Sequence, residues 1–101
     1  MTPQIASDAL VSSTIEEREK IYGPKFESHQ NIGLAWTGLL QQHYGIRLDH
    51  PIPASLVALM MCDFKASRSS RVFHGDNYVD LHAYARFAEE FQQREQADPK
   101  I

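Results

Sequence analysis

Apolar residues return every three or four positions in four separate runs of this 101-residue chain, and no run alternates with period two over a useful length. That spacing puts the apolar side chains on one side of a helix and leaves nothing to build a strand from. Punctuation agrees. The first run, starting at about 7 or 14 and reaching 22, has Thr14 and Glu17 spaced as a capping box and stops at Gly23-Pro24. The second, about 27–44, carries Ile32, Ala35, Trp36, Leu39 and Leu40 and ends at Gly45. The connector IRLDHPIP contains two prolines and is not a helix. The third run, about 54–72, aligns Val57, Met60, Met61, Phe64 and Arg68; the fourth, about 77–93, aligns Leu81, Tyr84, Ala85, Ala88 and Phe91. Short breaks between helices predict an all-α bundle of about four helices with an antiparallel C-terminal hairpin. The chain reads as a single domain, residues 1–101, with flexible ends at 1–13 and 94–101.

Charge and cysteine content narrow the classes of function. A formal net charge of -3, of mixed sign, does not point to duplex nucleic acid as a partner, because a phosphate-binding surface shows as a net basic patch. The single cysteine, Cys62, cannot form an internal disulfide and fits a cytoplasmic setting, where thiols stay reduced. No apolar run reaches the roughly 18 residues that span a bilayer. Cys62 sits among methionines and reads as a buried, inert thiol. His29, His43, His50, His74 and His82 form no compact zinc-binding spacing with it.

The stretch FKASRSSRVFHGDNYVD, residues 64–80, carries the candidate chemistry. Folding helices three and four around Phe73-His74-Gly75 sets Arg68 opposite Asp80 and Lys65 near Tyr84. Asp76, Asp80 and Tyr84 are spaced by four and share one side of the last helix. Charges at the margin of a core are costly unless paired, so their placement needs a reason. One reason is structural: an Arg68–Asp80 ion pair, with Asp76 offsetting the dipole at the start of helix four. The other is chemical. Lys65 and Arg68 would hold phosphate oxygens, and Asp76, Asp80 and Glu16 or Glu19 would hold Mg²⁺, whose octahedron is completed by water and substrate oxygens.

The segments REKIYG (18–23), NIGLAW (31–36), VALMMCDFKASR (57–68) and DNYVDLHAYARFAEEF (76–91) resemble a family of small proteins of unassigned function found mostly in tailed phages and prophages. The resemblance covers 18–91, and its matched polar positions are Arg18, Tyr22, Asn31, Lys65, Arg68, Asp76, Asp80 and Tyr84. The chain departs from that pattern at Asp63, where an apolar residue is expected, and at His82, where a small one is usual. The short acidic helices are also similar, more distantly, to all-α nucleoside triphosphate pyrophosphohydrolases of the MazG and dUTPase type. Those enzymes bind Mg²⁺ through Glu-Glu-x-x-Glu and Glu-x-x-Asp. Here the spacing of Glu16-Glu17-Arg18-Glu19 and of Asp76-x-x-x-Asp80 differs from both.

These resemblances imply a protein of nucleotide metabolism that cleaves a nucleoside triphosphate. Asp80, Asp76 and Glu19 would be catalytic, Lys65, Arg68, Tyr84 and Asn31 would bind the nucleotide, and Asp76, Asp80 and Glu16 would hold Mg²⁺. One alternative is a non-catalytic, nucleotide-sequestering or counter-defence binding protein. Another is a structural or protein-interaction helical domain whose hairpin charges only pair with each other. A homo-oligomer is expected, with Trp36, Met60 and Met61 as interface material, as is contact with a host protein in the host cytoplasm.

Overall fold

The computed structural model describes residues 6–22 and 24–97, apart from the side chains of Glu19, Ile21 and Tyr22. It contains four helices, α1 (Asp8–Tyr22), α2 (Lys25–Tyr44), α3 (Ala54–Arg68) and α4 (Gly75–Ala97), and no strand among the described residues. The expected all-α bundle with a C-terminal hairpin is therefore present.

The helix ends have identifiable chemical causes. Ser7, not Thr14, starts α1: its Oγ accepts the Leu10 N–H at 3.1 Å, whereas the Thr14 hydroxyl donates back to the Leu10 carbonyl at 2.9 Å from inside the helix. Residues 8–13 are thus helical. Gly45 ends α2 in the left-handed region, φ 63°, where its N–H reaches the Gln41 carbonyl. Glu95, near the end of α4, caps the start of α3. Its carboxylate accepts the Ser55 N–H at 3.1 Å and the Ser55 hydroxyl at 2.5 Å.

Helices α3 and α4 form the most extensive pairing, α2 lies on α3, and α1 rests along α4. The α3–α4 seam is built on small side chains, Ala54, Ala58, Ala83 and Ala88, which allow two helices close approach. Phe26, Phe87 and Phe91 supply the bulk. Phe26 meets Phe91 edge-on at 5.1 Å, and Phe87 stacks on Phe91 at 5.7 Å. The Arg94 guanidinium closes this cluster 4.1 Å above the Phe26 ring. On α1, Val11 is buried against the same core, and Arg86 of α4 donates to the Ser12 hydroxyl at 2.8 Å.

The buried faces are rotated from those the apolar stripes predict. On α2 the buried residues are Phe26, His29, Gly33 and Thr37, while Leu39 and Leu40 are exposed. The reason is a close approach between α2 and the connector. A Cβ on Gly33 would lie 2.1 Å from the Ile52 carbonyl oxygen, so only glycine fits there. Thr37 then accepts the Ile52 N–H at 2.8 Å and donates to the Gly33 carbonyl at 2.7 Å, which satisfies the polar groups brought inside. On α3, Val57 is buried but Met60 and Phe64 are exposed; on α4, Val79, Asp80, Ala83 and Phe87 face inward and Ala85 outward.

Candidate functional site

Asp80 is the one buried carboxylate among the described residues, and the candidate site is built around it. It sits on α4 in line with Ala83 and Phe87, so the burial that drives α4 against its neighbours carries the charge inside as well. Two cations answer it. Lys65 of α3 places Nζ 2.9 Å from Oδ2, and Arg18 of α1 places Nη1 2.7 Å from Oδ1. The Arg18 contact is one of charge rather than a directed hydrogen bond, since Oδ1 receives no hydrogen bond of good geometry. The Lys65 side chain is itself largely buried, at 13% exposure, whereas that of Arg18 is 41% exposed. Three helices therefore meet at one carboxylate.

The expected Arg68–Asp80 pairing is replaced by Lys65–Asp80. Helix α3 stops at Arg68 rather than near residue 72, and residues 69–74 form a wider loop than a turn confined to 73–75. The point about which the hairpin folds shifts toward α3, so the residue facing Asp80 moves back one turn. Arg68 is left exposed at the helix end, its guanidinium 5.4 Å above the Phe64 ring.

The other expected site residues scatter. Asp76 is exposed in the first turn of α4, Glu16 is exposed on α1, and the side chain of Glu19 lies outside the described residues. Asp76, Asp80 and Glu16 are not gathered: among the described residues no three carboxylate, histidine or cysteine groups converge to hold a metal ion. Asn31 is exposed on α2 and lines a shallow depression with Glu27, Ser28 and Ala35. Tyr84 does belong to the centre. It is half-buried one turn beyond Asp80, and burial, then the Asp80 carboxylate, raises its hydroxyl pKa, opposed by Arg18. Tyr84, Arg18, Thr14 and Lys25 border a cleft of about 20 Å³, room for one water molecule.

Sequence reasoning passed over two residues. Arg18 was visible only as a matched position in α1, with nothing to say which helix it reaches. His29 lies on α2 where the buried line Phe26–Gly33–Thr37 needs an inward residue. Its Nδ1–H donates to the Lys25 carbonyl at 2.8 Å, and the ring is enclosed by Tyr84, Phe87 and Phe91 at 5.2–6.0 Å. Nε2 is buried without a hydrogen-bond partner. Burial lowers the pKa of His29. The neutral ring suits the folded state, while the unfolded chain takes up a proton near histidine's ordinary value of about 6.5. Stability is thus fully present above that pH and is lost as pH falls below it. Urea unfolding midpoints measured at pH 7.5 and 5.0 will drop at the lower pH, and His29→Phe will flatten the slope; an equal slope in the variant would refute this assignment.

Cys62 places Sγ 3.9 Å from the Leu81 carbonyl, and burial raises its pKa, as suits an unreactive thiol. No described helix is long and apolar enough to cross a membrane.

Compared with known proteins, residues 8–92 match the profile of a family described as a domain of unknown function, DUF6378. No curated protein and no solved structure matches the chain.

Proposed function

We propose, for a chain that belongs to the DUF6378 family, that it works as a helical protein-interaction domain whose Asp80 centre joins three helices rather than performing chemistry. The observation that carries this reading is the amount of large apolar surface left outside the core. Leu39 is 67% exposed, Tyr44 65% and Phe64 49%, and further leucines of α2 and α3 join them. Large apolar side chains exposed in that number along two helices of a folded domain fit a surface on which another chain sits. The Asp80 carboxylate meanwhile has a cation at each oxygen, which leaves it poorly disposed to take Mg²⁺. A photo-crosslinking amino acid placed at Leu39 or Leu59 in cells will give covalent adducts with protein, and one at exposed Glu89 on α4 will not. Absence of adducts from both leucines would overturn the reading.

A second reading has one specific observation in its favour. The Arg18 side chain is 41% exposed at the mouth of the cleft beside Tyr84. Turned outward, it would offer a bidentate fork to a phosphate oxygen, as in a nucleotide-binding module of the MazG-like or sequestering kind. Calorimetric titration with ATP and Mg²⁺ decides it: heat of binding abolished by Arg18→Ala supports it, and no heat with the unmodified protein removes it.

A further inference from the structure

We propose that the partner seated on the exposed apolar surface is a second copy of this chain, with α2 of each copy lying on α3 of the other. This deepens the interaction-domain reading and rests on it. Two strips are left uncovered, and they share one pattern. On α2, half-buried Trp36 and exposed Leu39, Leu40, His43 and Tyr44 stand at steps of three, four, seven and eight; on α3, Leu56, Leu59, Met60, Asp63 and Phe64 repeat the same steps, all exposed. That is the seam by which two helices pack side by side.

The α2 strip continues a buried line. Leu40 and Tyr44 extend the series Phe26, His29, Gly33 and Thr37 in steps of three and four, yet the described residues cover them only in part: Leu40 is 37% exposed and Tyr44 65%. The inward face of α2 therefore outruns the fold that should cover it. The overall dimensions say the same. Extents of 50 × 31 × 23 Å and a radius of gyration of 15.2 Å describe an elongated body, against about 13 Å for a compact domain of a hundred residues.

The chain also carries its own complement. Both strips span about two turns, and at the seventh step α2 places a histidine, His43, and α3 a carboxylate, Asp63. Laid parallel, the strips bring apolar side chains against apolar side chains and His43 against Asp63. A two-fold axis makes the contact twice, because the surface used by one copy is the surface used by the other. Asp63, exposed in the single chain, then has a partner. A standard stable interface takes roughly 800 Å² from each partner, and the two strips together offer ten side chains toward it.

Light scattering on the purified protein at 100 µM tests this. The expected mass is twice 11.5 kDa, and Leu39→Glu or Leu59→Glu, both at positions exposed in the single chain, will return it to 11.5 kDa with an unchanged helical circular dichroism spectrum. Asp63→Lys will weaken dimerisation at least tenfold, and adding His43→Glu will restore it. A wild-type monomer, a dimer indifferent to both glutamate variants, or a double variant no tighter than Asp63→Lys alone would overturn the arrangement. A monomer whose Leu39 and Leu59 still crosslink to other proteins in cells refutes the second copy while leaving the interaction-domain reading intact; loss of crosslinks as well removes both.

Discussion

Replacing Asp80 by alanine will cost the fold about 3 kcal/mol, the range expected when one member of a buried ion pair is removed and the other stays behind. Lys65 carries the penalty. Its ammonium is largely buried and paired with Asp80 Oδ2, so it loses this counter-charge in a poorly hydrated place. Arg18 carries less of it, because its more exposed guanidinium can turn to solvent. The thermal midpoint should fall by at least 10 °C for a chain of this size, followed by circular dichroism at fixed protein concentration. Lys65→Met in the same chain should recover most of the loss, since the pair is then removed together. A loss below about 1 kcal/mol would show that the three-helix junction does not depend on Asp80.

Gly33→Ala will be of similar size for a different reason. The added Cβ meets the Ile52 carbonyl oxygen at 2.1 Å, and that atom is backbone, unable to swing aside. Helix α2 must separate from the connector, and the Thr37–Ile52 hydrogen bond opens with it. Overpacking of this kind costs about 1–3 kcal/mol, and the lost buried hydrogen bond places the expected effect at the upper end. Gly38 provides the control. An added Cβ there meets nothing within 4 Å on the same helix, so Gly38→Ala should stabilise by up to about 1 kcal/mol through helix propensity. Urea unfolding of both variants checks the contrast, and equal shifts would refute the tight contact at Ile52.

The number and kind of elements were legible in the sequence because glycine and proline cut the chain into runs and each run kept a helical spacing. Which face of each helix turns inward was not legible for α2. Its exposed positions include Leu34 and Leu39, which are more apolar than the buried side built from His29, Gly33 and Thr37. A rule that sends the most apolar stripe to the core fails where the core needs glycine for closeness rather than leucine for bulk. The candidate site was legible in half. Asp80 and Lys65 stood out as charges on otherwise apolar lines, and they do meet. The substitution of Lys65 for Arg68 turned on where α3 ends, which no glycine or proline marks between Arg68 and Phe73. Arg18 could not be placed at all, because charge spacing within α1 says nothing about how α1 lies across α4.

Glu95 has a consequence for how the molecule comes apart. By holding the first turn of α3 from the far end of α4, it fastens the open end of the hairpin, while the 69–74 loop fastens the other. Among the described residues helix α1 shows no such clasp; it is moored to α4 by side chains, at Ser12–Arg86, Asp8–Arg86 and Arg18–Asp80. The α3–α4 hairpin is thus the unit that opens last and α1 the piece that can lift off alone. Each departure of α1 would take Arg18 with it and leave Asp80 to Lys65.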